Sequence, residues 1–255
     1  MTLDAAAADR AAALLVRARR TRQPLDRLPA ECRPATVADA LAIQAASVVQ
    51  LGDVVAGWKV GGVIDGELTY GVLLRSRVIG SGSSVDVRDV PLLGMEAEIA
   101  FRFLEDVPPR DAPYVHDEIA ARVMAFPAIE IVATRYRDYK GTPVIERAAD
   151  CMSNGAFVVG EEQPDWRSRD LVHVPVSLRF DTRIVAQCVG GHVAGHPLKP
   201  AIDLVNVLRA RGGVSAGQIM TTGTYTGLNF ATPGTRVRAE FEGFRPVDID
   251  VREFV

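Results

Sequence analysis

The amino-acid sequence predicts an α+β fold, in which a helical N-terminal lobe precedes a β-rich body. Three observations predict it. The first fifty residues hold two long runs of helix formers with capping residues at their starts. From Val54 onward the pattern becomes short apolar or alternating runs divided by Gly, Pro, Asp and Ser. Regular alternation of strands with helices is missing, which argues against a doubly wound parallel sheet.

In chain order, residues 3–20 read as an alanine-rich helix with aspartates near its start. Arg17, Arg19, Arg20 and Arg22 gather at its C-terminal end, where cations complement the helix dipole. Residues 24–34 read as a linker. Thr36 and Asp39 form a capping-box pattern opening a second helix over 38–51. Strands are expected at 54–60, 72–79, 95–104, 128–134, 156–160, 174–180, 184–189, 218–222, 236–241 and 247–251. Helices are expected at 117–125 and 197–210, the latter stopping at Gly212-Gly213. The 255 residues are expected to form one domain, with the helical lobe over about 1–92 and the β-rich body over about 93–255.

Composition narrows the function classes. A net charge of −3, with 48% hydrophobic and 24% charged residues, is ordinary for a globular protein. It suggests neither a nucleic-acid surface nor a polybasic membrane anchor. No apolar run approaches the ~20 residues needed to span a bilayer, and no signal-like segment opens the chain. Cys32, Cys151 and Cys188 are too scattered for a disulfide framework, so a cytoplasmic location is expected.

The strongest chemical signal is the run from Gly94 to Phe103. Side chains alternate between faces along a strand. Met95, Ala97, Ile99, Phe101 and Phe103 then form one apolar face, and Glu96 and Glu98 point together to the other. Adjacent carboxylates repel unless a cation lies between them. Glu130 sits alone among apolar neighbours on a second strand, and glutamate is rarely buried without a partner. Three such carboxylates suit Mg²⁺ or Mn²⁺; the alternative is a solvated Glu96/Glu98 face with Glu130 paired to Arg135. Lys59 stands in an apolar strand beside Trp58, in a chain whose 29 basic residues include only three lysines. It suits a general base or a cation for a substrate carboxylate, or a lysine snorkelling from an edge strand. The hydroxyl-rich stretch 221–227 reads as a carboxylate cradle or a plain turn. His192 and His196 lie among glycines that argue against a helical metal site. Residues 80–84 lack the ending of a P-loop.

These pieces, in this order, resemble the fumarylacetoacetate hydrolase superfamily. The matching runs are Gly-Trp-Lys-Val-Gly at 57–61, Glu-Ala-Glu-Ile-Ala-Phe at 96–101, and Ala-Ile-Glu-Ile-Val followed by Arg135. The stretch from Ala149-Asp150 to Gly160 and the turn Thr222-Gly223-Thr224 continue the likeness. It spans nearly the whole chain and is strongest toward the 2-keto-4-pentenoate hydratases and 4-oxalocrotonate decarboxylases. The resemblance implies a mixed β-roll or sandwich-like core with peripheral helices, assembled as a homo-oligomer. It implies Glu96, Glu98 and Glu130 as ligands of Mg²⁺ or Mn²⁺, with Lys59 and Asp150 as catalytic residues. Lys59, Thr222, Gly223 and Thr224 would meet the substrate. Three positions depart from the branch pattern. Thr69 stands where an acid is expected, Cys151 replaces an asparagine, and Ala133-Thr134 replaces Asp-Ser.

The expected activity is that of a lyase in aromatic-compound catabolism, acting on a small 2-oxo acid or its dienol through a metal-stabilised enolate. Hydration is the first expectation; decarboxylation of a 4-oxalocrotonate-like acid is the second. A weakly active metal-binding assembly partner is a third. Thr69 predicts slow hydration of 2-hydroxypentadienoate unless Glu67 or Asp65 supplies a carboxylate.

Overall fold

The computed structural model describes residues 3–253. Helix α1 (Ala5–Thr21) begins where the Asp4 carboxylate accepts from the Ala7 N–H at 2.6 Å. Helix α2 (Val37–Leu51) begins with the full Thr36/Asp39 capping box and ends at Gly52, whose φ of 67° is left-handed. The two helices pack together. Ala8, Ala11, Ala12 and Leu15 of α1 meet Ala40 and Ile43 of α2, with Leu28 and Tyr136 completing this small core. The alanines let the two backbones approach closely.

The body consists of two sheets. Its strands are β1 (Val55–Ile64), β2 (Glu67–Leu74), β3 (Val78–Gly80), β4 (Ser83–Asp86), β5 (Gly94–Phe103), β6 (Val123–Val132) and β7 (Asn154–Val159). They continue as β8 (Pro175–Phe180), β9 (Arg183–Val189), β10 (Ile219–Thr224), β11 (Asn229–Phe230), β12 (Arg236–Phe241) and β13 (Val247–Arg252). The larger, eight-stranded sheet runs β2-β1-β10-β5-β6-β7-β3, with β11 pairing β5; the smaller runs β4-β13-β12-β8-β9. Met95, Ala97, Ile99, Phe101 and Phe103 of β5 join Leu178, Val237, Ala239 and Ile249 of the smaller sheet in one core. The opposite face of the larger sheet carries a second apolar cluster, including Ala100, Phe126, Ala128 and Phe157. The remaining helices are α3 (His116–Arg122), α4 (Val144–Ala149) and α5 (Leu198–Leu208), and α5 packs against β10, β1 and β2.

The mixed, two-sheet α+β architecture with peripheral helices is as expected. The boundary between lobe and body is not. Helix ends at Leu51, and β1 and β2 belong to the larger sheet, so the body begins near residue 55 rather than 93. The expected helix over 117–125 stops at Arg122, because Val123–Val132 pairs with β5 along ten consecutive registers. The ladder outweighs local propensity there. The expected strand over 72–79 is broken by a 3₁₀ turn at Arg75–Arg77.

Candidate metal and substrate site

Register brings the three glutamates together. Glu96 on β5 lies directly opposite Glu130 on β6, and Glu98 follows two residues along on the same face. Their carboxylate oxygens gather within 4.8 Å of one another. No other group of three or more His, Cys, Asp or Glu converges in this way among the described residues. Glu98 and Glu130 are buried, at 2% and 1% exposed, and Glu96 is half-buried.

Lys59 comes from the other side of the strand order, through β10. The parallel pairing of β1 with β10 puts Lys59 beside Thr221, and Thr221 lies opposite Ala100 on β5. The Lys59 ammonium reaches the Glu130 carboxylate at 2.6 Å and donates to the Met152 carbonyl at 3.2 Å. Asn154 donates to the same Glu130 oxygen at 3.1 Å, and the Thr221 hydroxyl donates to Glu98. A register shift between Thr221 and Thr224 lets β10 bulge, and Gly223 occupies the bulge with a φ of 114°.

Charge in this cluster is unbalanced. Burial, opposed by Lys59 and reinforced by Glu130, pushes Glu96 up to about 7. Burial, then Glu130 and Glu96, raises Glu98 well above the usual carboxylate range, although Thr221 and Lys59 pull the other way. Burial by itself would lower Lys59, but Glu130 and Glu96 outweigh it and raise the amine. Lys59 is therefore an ammonium in this arrangement, which suits a cation better than a base tuned toward neutrality.

A cavity of about 390 Å³ opens over the cluster. Lys59, Glu96, Glu98, Glu130, Thr222, Gly223 and Thr224 all line it, so seven of the eight sequence-predicted site residues share one wall. Asp150 does not. Its carboxylate is held by Arg135, at 2.5 Å from the guanidinium and 3.0 Å from the backbone N–H, beneath the helical lobe. That corrects the expectation of a catalytic Asp150. The pair anchors the turn of Cys151, Met152 and Ser153, all at positive φ, and this turn presents the Met152 carbonyl to Lys59. A Cβ on Gly71 would collide with the Cys151 carbonyl, so the turn and β2 fit only through glycine.

Thr69 is 1% exposed, and its hydroxyl donates to the Gly62 carbonyl at 2.6 Å. Glu67 and Asp65 are exposed at the β1–β2 hairpin and do not line the cavity. His192 and His196 accept the N–H groups of Ala194 and Leu198 through their Nδ1 atoms, as turn residues do.

Sequence reasoning missed several contributors. Asn154 could have been found as a buried amide at the start of a strand facing Glu130. Asp203 and Pro200 reach the cavity from α5, with Val193 and Ala194 from the preceding loop. Asp203 borders the buried stripe of Leu198, Ala201, Leu204, Val205 and Leu208, and no local pattern distinguishes it from a solvated helix position.

No family model matches the chain. It is 30% identical over 189 residues to a 2-hydroxyhexa-2,4-dienoate hydratase of Comamonas testosteroni, covering 72% of this chain and 70% of that protein. It is 29% identical over 181 residues to a 4-oxalocrotonate decarboxylase of Pseudomonas putida, covering 70% and 67%. The solved 4-oxalocrotonate decarboxylase from Pseudomonas putida G7, complexed with magnesium and adipate, superposes with a TM-score of 0.86 at 24% identity. That alignment covers 98% of this chain and 99% of the other. Relationship in sequence and likeness of fold over almost the full length agree with the order of motifs along the chain. The chain belongs to the fumarylacetoacetate hydrolase superfamily, in the branch of the 2-keto-4-pentenoate hydratases and 4-oxalocrotonate decarboxylases.

Proposed function

We propose that the chain is a divalent-metal-dependent lyase acting on a 2-oxo acid or its dienol, with hydratase-like activity as the main reaction. The observation that carries this reading is the acid-rich cluster: three converging carboxylates, two of them buried, against one ammonium. A hard, oxygen-only donor set with such an excess of negative charge fits Mg²⁺ or Mn²⁺. Glu96, Glu98 and Glu130 would hold the ion. When bound, it supplies a Lewis acid that favours enolate charge on the substrate.

The chain's own residues supply the rest. Lys59, fixed by Glu130 and Met152, offers a cation to the substrate carboxylate. The Thr222-Gly223-Thr224 bulge provides hydroxyls and close backbone approach on the same wall. Leu68, Met152, Val193 and Pro200 give the cavity apolar surface suited to a carbon chain. The enzyme so proposed is a cytoplasmic homo-oligomer, as the resemblance and the cysteine usage imply; a monomer in light scattering would remove the second part.

The test is enolisation. With Mg²⁺, the protein should catalyse proton exchange at C3 of a small 2-oxo acid, followed by NMR. Absence of exchange across metals and pH would leave a metal-binding assembly partner instead. Decarboxylation is the second reading, favoured by one observation: the Thr69 hydroxyl is committed to Gly62 and cannot activate water. Turnover of 4-oxalocrotonate well above that of 2-hydroxypentadienoate would select it.

A further inference from the structure

We infer that Asp203 is the carboxylate that takes the proton from the attacking water, the role that Thr69 cannot fill. The inference rests on the hydratase reading above.

Water addition needs a base that faces the substrate cavity and is not already engaged in holding a metal. Elimination leaves one group. The cavity wall contains five ionisable side chains: Lys59, Glu96, Glu98, Glu130 and Asp203. The three glutamates are the proposed metal ligands, and the Lys59 amine is already engaged by Glu130 at 2.6 Å and by the Met152 carbonyl at 3.2 Å. Asp65 and Glu67 lie on the exposed hairpin outside the cavity, and Asp150 is locked to Arg135. His192 is buried at 6% exposed and is not part of the wall.

Asp203 also has the right support. It projects from α5, the helix that packs on β10, β1 and β2 and so faces the same cavity as the site strands. Lys199, one turn earlier, reaches its carboxylate at 2.7 Å and holds the side chain in place along the helix. Its side chain is 48% exposed, which leaves room for water at that edge.

The step balances as follows. The dienol first moves its hydroxyl proton to C5, giving the 2-oxo-3-enoate. The water oxygen then bonds to C4 while the C3=C4 pair shifts to C2–C3 and the C2=O pair to oxygen, giving the enolate. The proton released by the water passes to the Asp203 carboxylate. C3 then takes up a proton from solvent and Asp203 returns its own to solvent, so that H and OH have added across C3=C4, with no oxidant or reductant.

The experiment compares wild type, Asp203→Asn and Asp203→Ala, each with Mg²⁺, on two readouts. One is loss of the 2-hydroxypentadienoate dienol absorbance; the other is C3 proton exchange of a small 2-oxo acid. Positioned acid–base groups contribute about 100- to 10,000-fold, so both variants should lose hydration by at least about 100-fold. Exchange should stay within about twofold, because it does not use the water. Unchanged hydration in both variants overturns the inference, as does parallel loss of hydration and exchange. Wild-type exchange without wild-type hydration overturns it while sparing the lyase reading. Absence of both in wild type overturns the two together.

Discussion

Two buried charge clusters share the same pair of chain segments, and they could hardly differ more. Arg135 and Asp150 are 5% and 3% exposed, and Glu130 and Glu98 are 1% and 2% exposed. Arg135 follows Glu130 by only five positions, and Asn154 follows Asp150 by four. The Arg135–Asp150 pair is complete: the carboxylate accepts from the guanidinium and a backbone N–H, and the guanidinium also reaches the Asp150 carbonyl at 3.2 Å. Arg19 nearby, lowered to about 10 by burial and then by Arg135, leaves that region if anything rich in positive charge. The glutamate cluster has three carboxylates for one ammonium. Burial alone therefore does not mark a functional site here. What sets the proposed site apart is an uncompensated charge of one sign at the floor of a cavity.

The largest expected effect tests the balanced cluster. Asp150→Asn removes one partner of a buried pair, which typically costs about 3–5 kcal/mol of stability. Denaturant unfolding should show that loss, and calorimetry should show Mn²⁺ affinity little changed. Lost metal affinity in a fully stable variant would return Asp150 to the site and break the contrast. The opposite pattern is expected for Glu98→Gln. Replacing a metal ligand should weaken Mn²⁺ binding by at least about 100-fold, beyond what outer-shell changes cost. Metal-free stability should hold or rise, because a raised carboxylate has been removed from a crowd of like charges. Unchanged Mn²⁺ affinity in the Gln variants of all three glutamates would end the metal proposal.

Lys59 stands between the two patterns, since it pairs with a glutamate without neutralising the cluster. Lys59→Met should lower turnover by about 100-fold or more, in the range of a positioned catalytic group. Mn²⁺ affinity should be kept or improved, because the ammonium competes for Glu130. Lys59→Arg should fail as well, since a bulkier planar fork does not fit the ammonium's place. Near-normal turnover in the Met variant would make Lys59 a structural residue.

How much of this was legible in the sequence follows from the range of the interactions involved. Strand phase placed Glu96 and Glu98 on one face, since alternation is a local property of β5. The two N-terminal helices were readable from their caps. The isolation of Glu130 among apolar residues flagged it, but its place opposite Glu96 is set by a strand pairing that no local pattern specifies. Asp150 misled for the same reason. Motif order gave it a catalytic role, whereas Arg135, fifteen residues away, determines where its carboxylate points. Asp203 was invisible because it reads as an ordinary solvated position and acquires meaning only when α5 closes over β10. The lobe boundary failed because β1 and β2 are joined to the body through β10, more than 140 residues later in the chain.

The smallest expected effect probes the glutamate cluster without any substrate. A carboxylate raised by folding binds its proton more tightly in the native than in the unfolded state. Between the two pKa values the native state holds more protons, so stability falls as pH rises. For Glu96, about 7 when folded against about 4.3 unfolded, the stabilising contribution is complete below pH 4.3 and is lost as pH approaches 7. His192 acts in the opposite sense. Burial lowers it to about 4, so its contribution to stability grows as pH rises from about 4 to about 6.5. A pH series on wild type alone would mix the two, and the comparison with Glu96→Gln cancels the histidine. In EDTA, wild type should lose stability relative to Glu96→Gln between pH 5 and pH 8, by on the order of 1 kcal/mol after allowing for solvent screening at a half-buried group. Saturating Mg²⁺ should reverse the order at pH 8, because an ion that binds the native state more tightly in wild type stabilises it more. A difference between the two proteins that stays flat with pH in EDTA would mean that neither burial nor Glu130 raises the Glu96 carboxyl. The site would then resemble the Arg135–Asp150 pair rather than contrast with it.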